Sequence, residues 1–528
     1  MTTLLLAGGT VVAGPDAAPT RADVLVRDGI VAETAPALDA AGADRIDCTG
    51  RVVLPGFVDA HSHADGVAHT EDVQLANLRQ GVTTVIAGQD GVGQAPGDGT
   101  YADAYFGALN GANPRYRGDG VAGLLASYDG VGSLNVGYLV PAGTVRHEVL
   151  GLDRRRPSGD ELRRMVELVD AGMRQGALGL STGLDYVPGI FADADELAAL
   201  CGPVARHDGV HVSHMRGGYE HAAPSGISEL RTIAELSGVR THVSHFHGPA
   251  DLIRSLVAEF AASSDVTFDA YPYRRSCTLL AMPLLPPELL ELGTQEVTGH
   301  LRDPERRAAL VRSYGPVIAA RPDMAATWPE RTTLVHVGDA EHAWTAGMTL
   351  AAAAARLGRD PLDLGYELLG RSALQVSAVI ATPVQRGVDE LASIFTDPRH
   401  VAGSDGIYVG AHPHPRGWGT FARFLRLHTR ERGDYDLPTA VGHLSTTAAR
   451  AFRLGRRGRV EPGWVADLAV IDVERLQDRA DYGSPRQPAE GIDDVVVAGE
   501  HVLADGRLTG IPAGRGVRRE CDAKRGHR

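Results

Sequence analysis

Helix-forming and strand-forming segments alternate through the middle of this 528-residue chain, and this alternation limits its fold more than any other feature. An amphipathic stretch opens with the capping box Ser158-Gly-Asp-Glu161 and runs to Gly176. Strand patterns, each reached through a helical stretch, follow at 177–182, 210–214, 241–245 and 266–271. Repeated helix–strand units require a parallel sheet with right-handed crossovers. The sequence therefore predicts an α/β protein.

Two parallel architectures fit this alternation, a (β/α)8 TIM barrel and a doubly wound open sheet. The predicted strands end in polar, chemically capable residues, such as His214 and His245. Barrel enzymes carry their active sites at this end of the strands. No Gly-x-Gly-x-x-Gly motif follows a strand, which disfavours a dinucleotide-binding open sheet. We therefore expect a barrel.

Short strand patterns separated by turn residues occupy both ends of the chain. Neither end has enough strands for its own core, so we expect one small β-sandwich domain built from both chain termini. The predicted organisation is a small β domain over 1–56 and 448–514, a barrel over 57–447 with an insertion at about 282–345, and a charged tail over 515–528.

The strongest chemical signal is the segment Leu54-Pro-Gly-Phe-Val-Asp-Ala-His-Ser-His63. His61 and His63 lie two residues apart at a strand end, so both imidazoles project to one side. Two neutral imidazoles that converge at a barrel mouth suit zinc or a similar borderline metal. The same spacing recurs at His245/His247 and at His412/His414, so the preceding strand segment is what gives the first pair its weight.

This segment is similar to the first-strand motif of the amidohydrolase superfamily, which comprises metal-dependent hydrolases built on a (β/α)8 barrel. Further segments, in matching order, resemble the D-aminoacylase branch of N-acyl-D-amino-acid deacylases. They are Gly81-Val-Thr-Thr-Val, Gly179-Leu-Ser-Thr-Gly-Leu-Asp-Tyr186, Ser213-His214-Met-Arg, Ser244-His245, Asp269-Ala-Tyr-Pro-Tyr273, Gly403-Ser-Asp405-Gly, His414-Pro-Arg-Gly-Trp-Gly-Thr420 and Gly458-Arg-Val-Glu-Pro-Gly-Trp-Val-Ala-Asp-Leu468.

The resemblance implies a metal centre. His61 and His63 match one half of it, and His214 and His245 match the histidines of the other half. Asp405 matches the family aspartate that touches the metal and serves as general base and acid. The implied cofactor is Zn²⁺, as one or two ions, with Mn²⁺ or Fe²⁺ as alternatives.

Lysine is almost absent from the chain. Lys524 is the only one, and the rest of the 52 basic residues are arginine. This excludes an interior Schiff base, a P-loop lysine and a carbamylated lysine that bridges two metals. The branch usually carries Asn-Cys-Gly after its second strand, with the cysteine as a ligand, whereas Gly88-Gln-Asp-Gly91 here puts Asp90 at that position. A carboxylate can bridge two cations, so we predict Asp90 as a ligand; an ordinary turn aspartate is the alternative.

The resemblance also suggests residues that act on the substrate. Tyr186 matches a tyrosine that stabilises the oxyanion. Arg416 suits the free carboxylate of the substrate as a bidentate fork, and Tyr271 matches a second contact. His247 stands where the family has a lysine, and Ser276 or Cys277 adds a further polar contact.

The predicted activity is metal-dependent cleavage of the amide bond of N-acyl-D-amino acids, or of related N-acyl amines, to a carboxylate and a free amino acid. This makes the protein a hydrolase of carbon–nitrogen bonds other than peptide bonds. Two alternatives stay open: a cyclic amidase of the hydantoinase or dihydroorotase type, and a non-catalytic relative that acts as a binding protein.

The charge and cysteine patterns bear on partners and location. A net charge of −14 and a pI of about 5.8 disfavour nucleic acid as a partner. No stretch approaches the roughly 20 apolar residues of a membrane span. The four cysteines are far apart, and the first residues lack the charged region of a signal peptide. We expect a cytoplasmic enzyme with a small-molecule substrate; whether it forms a homo-oligomer stays open.

Overall fold

The computed structural model describes residues 3–218, 220–384 and 386–520. Eight parallel strands form its central sheet, in the order β6-β7-β8-β9-β10-β11-β12-β16. Their bounds are β6 Phe57–Asp59, β7 Val82–Ala87, β8 Asn135–Pro141, β9 Gly179–Gly183, β10 Val210–His214, β11 Arg240–Val243, β12 Val266–Ala270 and β16 His400–Ala402. The sheet closes where Ala60 donates its backbone N–H to Ala402 O at 3.2 Å. The barrel prediction is confirmed over the open sheet.

Helices surround this barrel and connect its strands. They are α1 Glu71–Leu78, α2 Thr100–Asn110, α3 Gly120–Ala126, α4 Ala142–Leu150, α5 Gly159–Arg174, α6 Ala194–Arg206, α7 Ala223–Ser237, α8 Ala250–Ala261, α16 Val388–Phe395, α17 Arg416–Arg423, α18 Leu437–Val441 and α19 Thr447–Ala451. π-Helical turns occupy Phe424–Glu431 and Gly442–Thr446, and 3₁₀ turns occupy Gly189–Phe191, Glu220–Ala222 and Ala343–Thr345. The capping box predicted before α5 forms between Ser158 and Glu161. Within the described ranges, none of the helices is both long and apolar enough to cross a bilayer.

Strands from both ends of the chain share a second sheet, as predicted. Its order is β20-β19-β18-β17-β5-β1-β2-β3, with β4 paired to β1. The bounds are β1 Thr3–Val11, β2 Thr20–Arg27, β3 Ile30–Ala35, β4 Asp44–Asp47, β5 Val52–Pro55, β17 Leu468–Ile471, β18 Ile492–Val497, β19 Glu500–Ala504 and β20 Arg507–Leu508. The two halves join where β5 and β17 pair antiparallel. Leu6, Val24 and Leu468 lie in the shared core of this one continuous sheet.

A third unit lies between β12 and β16. Its antiparallel sheet has the order β13-β15-β14, with β13 Arg275–Leu279, β14 Thr332–Val337 and β15 Val376–Ala381. Its helices are α9 Ala281–Leu284, α10 Pro287–Leu290, α11 Gly293–Arg302, α12 Pro304–Ala320, α13 Trp328–Arg331, α14 Leu350–Leu357 and α15 Pro361–Arg371. The insertion expected at about 282–345 covers only part of this unit, because β13 and β15 are neighbours in space but far apart in sequence.

The segment expected to be a charged tail begins with ordered structure. β21 Gly516–Val517 pairs in parallel with β8, and Val136 donates its N–H to Arg515 O at 2.9 Å. Gly516 also packs closely against α3, where a Cβ would lie 2.2 Å from Leu125 O. Cys521 and Lys524 lie outside the described residues.

Candidate metal centre

The six predicted metal ligands all lie at the carboxyl ends of barrel strands. His61 and His63 follow β6, and the others follow or end four further strands: Asp90 after β7, His214 on β10, His245 after β11 and Asp405 after β16. All six side chains are buried, none more than 9% exposed. Parallel strands bring their carboxyl ends to one mouth of the barrel, so residues from distant parts of the sequence meet there.

One group of ligand atoms is formed by His61, His63 and Asp405. Asp405 Oδ1 lies 3.3 Å from His63 Nε2 and 3.8 Å from His61 Nε2. A second group comprises His61, Asp90 and His245, and it shares His61 with the first. Five of the six predicted ligands are therefore brought together as two adjoining groups.

Asp90 lies between the histidines of both halves. Its Oδ1 is 3.7 Å from His61 Nε2 and 3.7 Å from His245 Nε2. Its Oδ2 is 3.7 Å from His63 Nε2 and 3.9 Å from His214 Nδ1. Burial would raise the pKa of this carboxyl, but the surrounding imidazoles outweigh burial and hold it well below its usual range. Asp90 is therefore enclosed by four imidazoles and is not a turn residue exposed to solvent.

The backbone turns sharply at three of these residues. Asp90, His245 and Asp405 have φ values of 56°, 34° and 49°, in the left-handed region that residues with a side chain rarely adopt. Such conformations persist only where surrounding contacts enforce them, and they cluster at functional sites. One such contact is the backbone N–H of Asp405, which donates to His61 O at 2.8 Å.

Polar side chains that the sequence did not mark orient the histidines. Asn110, at the end of α2, has its Oδ1 2.8 Å from His63 Nδ1. Asp185 Oδ2 lies 3.2 Å from His214 Nε2, and its Oδ1 accepts the Gly217 N–H at 2.7 Å. These contacts occupy the far nitrogen of each ring, so the other nitrogen faces the centre. Asp185 precedes Tyr186 in a segment already quoted for its resemblance, which is the only sequence signal for any of them.

The donor set fits a divalent metal ion. His61 Nε2 and Asp90 Oδ1 are buried and have no hydrogen-bond partner among the described residues. His214 Nδ1 and His245 Nε2 face each other at 3.2 Å. Buried polar groups normally have partners, and converging imidazole and carboxylate donors are the ligands of zinc and similar ions.

Arg416 lies beside this cluster at the start of α17. Its side chain is fully buried, and Nη2 contacts Asp405 Oδ2 at 2.9 Å. Its guanidinium lies over the Tyr271 ring, 4.6 Å from the centroid. Nε and Nη1 have no hydrogen-bond partner among the described residues, so they are available to an anion. Burial raises the pKa of Asp405, but Arg416 and His63 together hold it below its usual range.

Of the other two predicted substrate contacts, His247 lies at the site and Ser276 does not. His247 Nε2 lies 3.0 Å from Tyr271 O, and burial, with His245 beside it, lowers the pKa of His247 to about 3. His247 is therefore neutral and does not replace the charge of a lysine. Ser276 is not brought to the site: its side chain is exposed and donates to Ile380 O at 3.4 Å. Successive residues of a strand face opposite sides, so its neighbour Cys277 is the one that is buried.

Tyr186 is buried near the centre. Its ring packs edge-on against Phe106 at 4.9 Å between centroids and lies 5.1 Å from the His214 ring. Its hydroxyl lies 3.0 Å from Thr278 Oγ1 on β13. The insertion sheet therefore contacts the candidate oxyanion residue directly.

Fold and site together define a (β/α)8 barrel protein with a histidine–carboxylate centre at its mouth. A family model for the amidohydrolase family matches residues 44–503, and the chain belongs to that family.

Individual relatives share nearly the whole chain. It is 30% identical over 520 residues to D-aminoacylase of Alcaligenes xylosoxydans xylosoxydans, covering 97% of this chain and 96% of the relative. A crystal structure of D-aminoacylase superposes with a TM-score of 0.81 at 29% identity, covering 98% and 99% of the two chains. N-acyl-D-glutamate deacylase of Bordetella bronchiseptica, in complex with zinc and a phosphonate mimic of the tetrahedral intermediate, gives 0.79 at 28% identity, with the same coverage.

Proposed function

We propose that this protein is a metal-dependent hydrolase that cleaves the amide bond of N-acyl-D-amino acids to a carboxylate and a free amino acid. The observation that carries the proposal is the convergence of His61, Asp90 and Asp405 with His63 and His245 into two adjoining ligand groups. His214 lies beside them, with its Nδ1 3.2 Å from His245 Nε2. The deacylases to which the chain is similar over almost its full length support the same reaction.

The proposed cofactor is Zn²⁺, as one or two ions, which the five residues of the two groups would hold together with His214. A divalent cation there would supply Lewis-acid polarisation of the scissile carbonyl and would acidify a water. Asp90, midway between the histidines, is the proposed bridging ligand. Hard carboxylate oxygen in place of a thiolate would also admit Mn²⁺ or Fe²⁺.

Asp405 is the proposed general base and acid. Its low pKa keeps it ionised at neutral pH, so it can accept the proton of the attacking water. The same carboxyl then returns that proton to the leaving amine. Tyr186 donates a hydrogen bond to the oxyanion, and the apolar Phe106 beside it helps to exclude bulk water.

Arg416 is the proposed partner of the substrate carboxylate, through its free Nε and Nη1, with Tyr271 supporting the guanidinium. The contact from Nη2 to Asp405 joins the substrate clamp to the base. Because His247 is neutral, Arg416 provides the positive charge of this clamp alone.

The two alternatives are less well supported. A cyclic amidase of the hydantoinase type typically relies on a carbamylated lysine, and the only lysine is Lys524. A non-catalytic relative would be expected to have lost ligands, whereas all six positions carry a residue able to bind metal.

We also propose a cytoplasmic setting, with a small N-acyl amino acid as the partner. The described cysteines Cys48, Cys201 and Cys277 are buried free thiols, as is usual in a reducing compartment. Size-exclusion chromatography with light scattering would establish whether the chain forms a homo-oligomer.

A hydrolysis screen tests the proposal. Purified protein is assayed on matched N-acetyl-D- and N-acetyl-L-amino acids with zinc, with manganese and after chelation. We expect turnover of D-substrates that depends on metal and is lost in Asp405→Asn, which keeps the size of the side chain but removes the base. Turnover of L-substrates alone would contradict the D-preference, and Asp405→Asn retaining activity would contradict the mechanism.

A further inference from the structure

A buried carboxylate at the end of β12 connects two candidate ligands. Asp269 is fully buried, and its Oδ2 lies 3.4 Å from His61 Nδ1. Its Oδ1 accepts the backbone N–H of His245 at 2.9 Å. One side chain therefore contacts the ring of one candidate ligand and holds the main chain of another by a hydrogen bond, the latter at a residue whose φ is 34°.

Asp269 also contacts a third histidine, which is not a candidate ligand. His242, fully buried on β11, has its Nε2 3.0 Å from Asp269 Oδ2. Its Nδ1 lies 2.8 Å from Thr267 Oγ1, whose hydroxyl can donate to it. With Nδ1 accepting, the ring proton of His242 lies on Nε2 and points at the carboxylate. His242 belongs to neither ligand group.

We propose that Asp269 is a positioning residue that sets the tautomer of His61. A carboxylate only accepts hydrogen bonds, so the 3.4 Å contact with Asp269 Oδ2 favours the tautomer of His61 that carries its proton on Nδ1. The lone pair of Nε2 then faces Asp90 Oδ1 at 3.7 Å and Asp405 Oδ1 at 3.8 Å. Because His61 belongs to both ligand groups, Asp269 acts on both. The inference rests on the metal centre of the proposed function.

Asp269→Asn tests this role. The amide keeps the shape but has a donor on one side, so it cannot accept from His61, His242 and the His245 N–H together. If the NH₂ group faces His61, the ring proton moves to Nε2 and blocks the ligand position. Loss of such an orienting partner typically weakens metal binding 10- to 100-fold.

The readout is Co²⁺ titrated into the full-length protein after metal removal, followed by its visible absorption, so activity is not needed. We expect about 10- to 100-fold weaker Co²⁺ binding and an altered spectrum in Asp269→Asn. Asp467→Asn is the control, since Asp467 is equally a buried carboxylate but accepts from Ala498 N in the terminal sheet, at 2.7 Å. The control should keep wild-type affinity even if its Tm falls.

His242→Gln tests whether the contact between His242 and Asp269 contributes to metal binding while the Asp269 side chain is kept. We expect a smaller loss of Co²⁺ affinity than in Asp269→Asn, and no further loss when the two changes are combined. Wild-type affinity and spectrum in folded Asp269→Asn overturn the inference; if that variant does not fold, wild-type behaviour of His242→Gln overturns it. Wild-type protein that binds no Co²⁺ or Zn²⁺ overturns the proposed function, and the inference with it.

Discussion

The carboxylate of Asp90 offers the sharpest test of the metal centre, because it departs from the cysteine usual in the branch that the sequence resembles. It is 4% exposed and has four imidazoles within 3.9 Å of its oxygens. In Asp90→Asn the side chain keeps its size but loses its charge and one acceptor oxygen. The change should weaken metal binding by both ligand groups, and it should weaken the group that contains Asp90 more.

The size of the effect follows from that geometry. Removing one partner from a buried, paired set of charges costs about 3–5 kcal/mol. At about 1.4 kcal/mol per tenfold, this corresponds to a loss of roughly 100- to 4,000-fold in affinity for an ion held by the Asp90 group. The group of His61, His63 and Asp405 keeps these three ligands and loses only the bridging oxygen of Asp90, so we expect a smaller loss of affinity there.

Zinc stoichiometry and affinity, measured by competition with a chelator, check the prediction. We expect Asp90→Asn to retain at most one tightly bound ion, and Asp90→Cys to restore binding with a preference for softer ions. Asp65→Asn is the matched control, since Asp65 is buried at the same mouth and, within the described part of the chain, its carboxylate accepts one hydrogen bond, from Gly88 N–H at 2.8 Å. Zinc binding by Asp90→Asn that equals that of the wild type would refute the reasoning and return Asp90 to a turn role.

Two further predictions follow from buried side chains. Tyr186→Phe should lower kcat about 100-fold or more with little change in KM, because an oxyanion donor acts in the transition state; steady-state kinetics with unchanged kcat would contradict it. Burial lowers the pKa values of His400, His428 and His443 from 6.5, so below pH 6.5 the unfolded chain binds protons that the native state excludes. The free energy of unfolding should therefore fall on acidification, by up to about 1.4 kcal/mol per pH unit for each histidine, and urea titrations showing constant stability from pH 7.5 to 5 would disprove this.

The barrel was predictable because its signals are local. Each helix–strand unit carries its own cap, period and stop, as α5 does with Ser158 and Glu161, and successive units then have few ways to pack. The candidate ligands were predictable because each lies within four residues of a strand end. The spacing of His61 and His63 is not specific by itself, and their position directly after a strand is what indicated a metal site.

The orienting residues had no such signal. Asn110 and His63 are 47 residues apart, and Asp269 and His61 come from different strands, so only the closed barrel brings them together. The extent of the insertion escaped prediction for the same reason, since β13 pairs with a strand about one hundred residues later. Which side of β13 faces the site depends on that pairing, and this is why Cys277 is buried there and Ser276 is not.

Contacts that the sequence did not predict also hold the left-handed backbone at the candidate ligand positions. A strand that continued straight past its end would carry its side chains away from the barrel axis, whereas the turns at Asp90, His245 and Asp405 bring theirs inward. Each unfavourable φ costs on the order of 1–3 kcal/mol, so each turn needs a contact to hold it. Asp269 holds the His245 N–H at 2.9 Å, and His61 O accepts the Asp405 N–H at 2.8 Å. The groups that position the ligands therefore also hold the backbone that presents them, and a change at Asp269 should disturb both.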